Sequence, residues 1–218
     1  WLKELSTSDL YFQMSEDIAA TPTDVSYDEL STEVLKKRLE KLNQKTPFNI
    51  EYNPVLEQVI KSFLKNRRSS LERLMSLSDY YFPMFEQEMS NQKIPLEMKY
   101  LAIIESALNP KARSRAGATG LWQFMYSTGR GYGLEVNNYV DERSDPVRST
   151  KAAAKYLNEL YKVFGDWDLV LAAYNSGPGN VTKAIRRSNG KQNYWNLRPY
   201  LPRETAGYVP AFLSTLYI

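Results

Sequence analysis

The sequence predicts an all-α fold. Apolar residues recur every three or four positions along several stretches, strand-like alternation is scarce, and helix-starting and helix-stopping residues separate the stretches. Residues 1–50 mix Ser, Thr, Asp and Pro, with a helical repeat only from Tyr27 to Leu42, and read as an N-terminal arm packing on a main body. Within that arm, which is partly helical or tag-derived, Leu10-Tyr11-Phe12-Gln13 looks like the end of an engineered protease site and equally suits native sequence. Residues 51–93 read as a helical hairpin. Asn53 caps and Pro54 opens its first helix, which runs to about Asn66 with Val55, Val59 or Ile60, and Phe63 inward. The second spans about Ser69 to Ser90 and is bent at Pro83.

The main body, residues 94–218, is denser in turn signals. A helix is expected from Pro95 to a stop at Asn109-Pro110. Asp145-Pro146 opens another, with Val147, Ala154, Leu157, Tyr161 and Phe164 inward and Gly165 at its end. Asp166 caps the next, whose inner face holds Leu169, Val170, Ala173 and Tyr174, and Gly177-Pro178-Gly179 closes it. Val181 to Ser188 forms a short helix, and Arg203 to Tyr217 a last one interrupted by Pro210.

Composition narrows the chemistry. The 218 residues include no Cys and no His, which removes thiol nucleophiles, Cys/His zinc sites, Ser-His-Asp triads and histidine bases together. Carboxylates and hydroxyls remain for acid–base work, and no metal or cofactor is called for. The formal net charge of +3 argues against nucleic acid as a partner and suits an anionic polymer. No apolar run reaches the roughly 18 residues of a membrane helix.

Glu105 stands out as a carboxylate inside an apolar stripe. In IPLEMKYLAIIESALNP, residues Leu101, Glu105 and Leu108 share one helical face with Ile104 beside them, so Glu105 is expected to point inward. Desolvation there favours the protonated carboxyl and a raised pKa, as a general acid needs. A buried Glu also serves as a backbone acceptor or as the partner of Arg113 or Arg115, and the pattern alone leaves both readings open.

Three further segments carry chemistry. Gly117 to Phe124, GATGLWQF, sets Trp122 and Phe124 beside the amide of Gln123, the makings of a carbohydrate platform, although both rings equally suit a core. Ala172 to Asn180, AAYNSGPGN, presents Tyr174 and Asn175 at a rigid turn, where Asn175 also suits a helix cap. Glu204 to Leu213 places Tyr208 on a bent helix, a weak signal by itself.

In this order and spacing, the four segments resemble the catalytic domain of bacterial lytic transglycosylases, a group related in fold to goose-type lysozyme. The resemblance covers about Pro95 to Ile218, and STGRGYGL, Ser127 to Leu134, looks most like the membrane-bound murein transglycosylase D branch. It implies a lysozyme-like domain over residues 94–218. It also implies Glu105 as the single catalytic acid and base, and a substrate-binding set of Ser106, Trp122, Gln123, Phe124, Tyr174, Asn175 and Tyr208, with Ser106 supporting Glu105. Tyr126 departs from the pattern by standing where relatives usually have proline, and the cell-wall-binding repeats that often follow this domain in the D branch do not occur within these residues.

The implied partner is the glycan strand of peptidoglycan, met in the periplasm or cell envelope of a bacterium, and the resemblance leaves room for membrane association through a lipid anchor upstream of these residues. The implied reaction cuts between N-acetylmuramic acid and N-acetylglucosamine and leaves 1,6-anhydro ends. The rivals are a muramidase-type hydrolase with the same cleft and an inactive glycan-binding module. A hydrolase needs a second aligned carboxylate. Asp141, Glu142 and Asp145 are the candidates, and their place ahead of the Asp145 helix suggests turn and capping roles instead.

Overall fold

The computed structural model describes residues 26–218, so Leu10–Gln13 and most of the expected arm lie outside the described residues. The helices are α1 (Thr32–Asn43), α2 (Pro54–Asn66), α3 (Arg68–Asn91), α4 (Leu101–Ser106), α5 (Tyr126–Gly131), α6 (Pro146–Phe164), α7 (Trp167–Ser176), α8 (Pro178–Arg187), α9 (Tyr194–Leu197) and α10 (Arg203–Tyr217). Short 3-10 helices occupy Leu96–Tyr100, Glu142–Ser144 and Arg198–Tyr200. Among the described residues, β pairing is limited to isolated bridges of Arg113 with Thr119, Thr119 with Phe124 and Val136 with Asp141. The all-α expectation holds.

Local capping chemistry explains the helices that begin and end where the sequence says. The Asn53 side chain accepts the Leu56 N–H at 3.0 Å and Pro54 takes the first position of α2, while the Asp166 carboxylate accepts the Leu169 N–H at 2.9 Å to start α7. Gly165, at φ 65°, closes α6 with its N–H on the Tyr161 carbonyl at 2.8 Å. α8 starts at Pro178, ahead of the expected Val181, because proline fits its first turn.

Two expectations are corrected. Ala154 and Leu157 are buried as expected, but Val147 and Tyr161 are 47% and 37% exposed, and the covered face of α6 is completed by Ser149, Thr150, Ala152, Ala153 and Leu160. Tyr161 lays its ring on Trp167 at 4.1 Å, an arrangement between neighbouring helices that single-helix periodicity cannot show. The helix expected from Pro95 to Asn109 is broken into a 3-10 helix and the six residues of α4.

The described residues divide into two compact units, one of Ser69–Asn158 and the other of residues 26–68 with Glu159–Ile218. The division does not follow the boundary expected near residue 93, and it assigns α2 and α3 to different units. Sequence punctuation marks helix ends but not which helices share a core. In the second unit α10 packs on α2 and α7, and α8 packs on α7. Phe48 meets Phe212 there at 5.0 Å, over a core that includes Leu56, Ile60, Leu169 and Val170. In the first unit the core centres on Trp122, Phe85, Met98, Leu101 and Leu121.

Candidate active site

Glu105 lies in α4, a helix otherwise sealed in the first unit. Leu101, Ala102, Ile104, Ser106, Ala107 and Leu108 are each at most 2% exposed, whereas Glu105 is partly exposed. Burial of the flanking apolar side chains anchors the helix, and the carboxylate residue is left at the boundary with solvent. The inward orientation read from periodicity is therefore corrected to a boundary position.

The backbone after Glu105 turns sharply. Ala107 and Leu108 take the left-handed conformation, at φ 51° and 57°, and the Leu108 N–H reaches back to the Ala102 carbonyl at 3.3 Å. Two such non-glycine residues in succession cost of order 1–3 kcal/mol each, and the near-complete burial of both side chains offsets that. Asn109 follows with an Asx turn, its side-chain oxygen accepting the Lys111 N–H at 2.9 Å.

The GATGLWQF segment folds into a tight loop. Thr119 and Phe124 exchange both backbone hydrogen bonds, at 3.0 and 3.1 Å, around a turn closed by the Gln123 N–H on the Gly120 carbonyl. Gln123 is held at φ 46°, and its amide nitrogen donates to the Ala112 and Gly120 carbonyls at 3.2 and 2.9 Å. Ser106 joins this loop to α4: its hydroxyl, 0% exposed, sits 2.9 Å from the carbonyls of both Ala102 and Leu121.

Three side chains expected at the substrate lie in the core of this unit. Ser106 is sealed between the two carbonyls. Trp122 is 0% exposed, donates its indole N–H to Thr150 Oγ1 at 2.9 Å and meets Phe85 at 4.9 Å. Phe124, 2% exposed, faces Tyr156 at 6.4 Å. A sugar platform needs an open ring face, so the core reading of both aromatics replaces the platform reading. Tyr126 takes the first position of α5, a place that suits proline too, and its phenol oxygen accepts from Arg130 at 3.2 Å.

The candidate second carboxylates are each engaged. Asp141 accepts the Arg143 guanidinium at 2.9 and 2.7 Å and the Arg143 N–H at 3.2 Å, and those bonds hold its carboxyl below the usual range against the opposing effect of burial. Glu142 accepts the Glu135 N–H at 2.9 Å and pairs with Arg148. Asp145 accepts the Arg148 N–H at 2.7 Å in the first turn of α6. The turn and capping roles read from the sequence are what the geometry gives.

In the second unit, Tyr174 and Asn175 are partly exposed near the end of α7, just before Gly177 at φ 83°. Asn175 does not cap α7. It accepts the Thr205 hydroxyl at 2.8 Å and donates to Glu204 at 3.3 Å, which fixes its side chain against the start of α10. Tyr208, on α10, is 3% exposed, so its ring belongs to the core of this unit. A cavity of about 490 Å³, lined by Tyr27, Leu30, Arg38, Lys41, Leu64 and Tyr217 among others, includes none of the residues singled out from the sequence.

Sequence reasoning missed Arg143, 5% exposed under the Gly117–Phe124 loop, and Asp168, 2% exposed in the first turn of α7. The signal for Arg143 was its place directly after an Asp-Glu pair at a turn. Asp168 gives no local signal, because an acidic residue in a first helical turn is ordinary.

Comparison with known proteins bears on this geometry. The family model described as Transglycosylase SLT domain matches residues 83–197, a span that contains Glu105, Gln123, Tyr174 and Asn175 but not Tyr208. The chain is 40% identical over 169 residues to the membrane-bound lytic murein transglycosylase D of Escherichia coli (strain K12), covering 76% of this chain and 37% of that protein. It is 31% identical over 141 residues to the soluble lytic murein transglycosylase of the same strain, covering 62% of this chain and 22% of that protein. The chain thus spans well under half the length of either relative. In fold it is similar to the crystal structure of the 70 kDa soluble lytic transglycosylase of Escherichia coli, with a TM-score of 0.56 at 21% identity over 98% of this chain and 42% of that one.

Proposed function

This chain belongs to the Transglycosylase SLT domain family, and from that premise we propose that it is a peptidoglycan lytic transglycosylase with Glu105 as its single acid and base. The bond cut lies between N-acetylmuramic acid and N-acetylglucosamine, and the place of action is the bacterial cell envelope. One observation carries this reading: Glu105 is partly exposed in an otherwise sealed stretch of α4. The candidates for a second carboxylate, Asp141, Glu142 and Asp145, serve local turn and ion-pair roles. A reaction run by one carboxylate fits that arrangement better than one that needs two.

The chemistry balances without water. Glu105 gives its proton to the glycosidic oxygen as the C1–O bond breaks, and the acetamido oxygen of the muramic acid supports the cation developing at C1. The ionised Glu105 then takes the proton of that sugar's C6 hydroxyl, whose oxygen closes on C1 as the 1,6-anhydro ring. Glu105 is protonated again at the end of the cycle. Tyr174 and Asn175, both partly exposed, are proposed to contact the glycan; Ser106, Trp122 and Phe124 act by holding backbone in place.

Digestion of purified peptidoglycan in heavy-oxygen water, followed by mass spectrometry, tests the reading. Ends lighter by one water and free of label are expected. Glu105→Gln should fold and lose about a hundred- to ten-thousand-fold in rate, the usual worth of general acid catalysis. Labelled reducing ends would establish a hydrolase, and binding without new ends a glycan-binding module.

A further inference from the structure

We infer that Arg143 is a positioning residue of the proposed reaction, holding the loop that carries Gln123 and, through Ser106, the helix that carries Glu105. The inference rests on the proposed function for its catalytic consequence and on geometry for the rest. Arg143 is 5% exposed, and its guanidinium serves three groups at once. One edge grips the Asp141 carboxylate through Nε and Nη2 at 2.9 and 2.7 Å, while Nη1 donates to the Gly117 and Phe124 carbonyls at 3.0 and 3.1 Å. Those carbonyls stand at the two ends of the GATGLWQF loop. A planar, permanently charged fork can hold a carboxylate and two carbonyls in one fixed geometry; an ammonium on a flexible stem cannot.

The main chain of Arg143 supports the same loop from below. A Cβ at Gly120 would lie 1.8 Å from the Arg143 carbonyl oxygen, and Gly120 also sits at φ 88°, so close approach and backbone conformation both demand glycine. With Gly120 pressed on Arg143, the turn is narrow enough for Gln123 to be held at φ 46° and for the Leu121 carbonyl to meet Ser106 at 2.9 Å. The path is contiguous: Asp141 and Arg143 to the loop, the loop to Ser106, and Ser106 to its neighbour Glu105.

A purely structural role would predict loss of stability and nothing else, but the two carbonyls have other donors. Phe124 O also accepts the Thr119 N–H at 3.0 Å, and Gly117 O the Thr119 hydroxyl at 3.2 Å. Losing the fork therefore leaves neither carbonyl unpaired, so the loop should loosen more than it unfolds. Displacements of about 1 Å at a reacting centre are enough to cost of order a hundredfold in rate.

The test is Arg143→Lys in the full chain, with Asp141→Asn as a second variant that removes the carboxylate without adding bulk. Thermal unfolding, nitrogen-15 NMR of the Gln123 side-chain amide, and kcat and KM on a soluble glycan fragment are read on the same preparations. Expected are a melting point within a few degrees of the parent, moved and faster-exchanging Gln123 amide signals, and a ten- to hundredfold fall in kcat with KM changed less than threefold. Unmoved amide signals in both variants would overturn the inference, as would activity that falls only in step with the folded fraction. Should Arg143→Lys not fold, Asp141→Asn decides on the same readouts. If the parent protein leaves glycans uncut, the proposed function fails, while the amide signals still judge the clamp.

Discussion

Replacing Asp168 by Asn should make the protein more stable at pH 8 and no more stable, or slightly less, at pH 4. Asp168 is 2% exposed; Oδ2 accepts the Asn49 N–H at a long 3.3 Å, and Oδ1 has no hydrogen-bond partner. Burial, and then the nearby Asp166, push its carboxyl up from 3.8 to about 8; the Asn49 bond pulls it down, and Glu51 adds a lesser upward push. An acid whose pKa rises on folding contributes full stability below its unfolded value, and the contribution is lost as pH climbs toward the folded value. Between about pH 4 and 8 the unfolded chain has given up a proton that the folded chain retains, which costs about 1.4 kcal/mol per pH unit, or about 6 kcal/mol in total.

Asn cannot ionise, so the variant escapes that cost. Its amide instead leaves one buried group poorly paired, a penalty of about 1–3 kcal/mol. The net gain at pH 8 is about 3–5 kcal/mol, roughly 10 °C in melting temperature for a chain of this size. Urea unfolding followed by circular dichroism at each unit from pH 4 to 8 would trace the difference between parent and variant. A difference that stays constant with pH, or one that shrinks as pH rises, would refute the argument. Asp166 is present in both proteins, so the comparison isolates Asp168 and its effect on that neighbour.

Glu57→Gln should act with the opposite sign. Burial raises the Glu57 carboxyl, but Lys61, Thr32 and Tyr52 outweigh it and hold the group at about 2, down from 4.5. Its contribution of about 3 kcal/mol is present above pH 4.5 and lost as pH falls toward 2, so acid unfolding curves of parent and variant should converge at low pH. Gln123→Ala should lose about 1–2 kcal/mol as well as activity, because both amide bonds to the Ala112 and Gly120 carbonyls disappear. A melting point unchanged in that variant would mean that those bonds contribute nothing net.

What the sequence by itself determined is chiefly what short-range chemistry decides. The start of α2 at Asn53-Pro54, the join of α6 and α7 at Gly165-Asp166, and the break at Gly177 each depend on residues within one turn of each other, so they could be read directly. The family was also legible, because Glu105-Ser106, GATGLWQF and AAYNSGPGN are contiguous strings whose order survives without coordinates. Tertiary structure decided everything that depends on which surfaces meet. It ended α4 at Ser106, since left-handed Ala107 and Leu108 carry no glycine signal and persist only because the core seals them. It turned Trp122, Phe124 and Tyr208 into core side chains, left Glu105 partly open, and brought Arg143 under a loop from which it is separated in the chain. It also buried Asp168 without a full set of partners. Capping and turn formation are settled by atoms a few bonds apart. Burial, ring packing and carboxylate ionisation depend on the low-dielectric surroundings supplied by distant segments, and no local pattern encodes them.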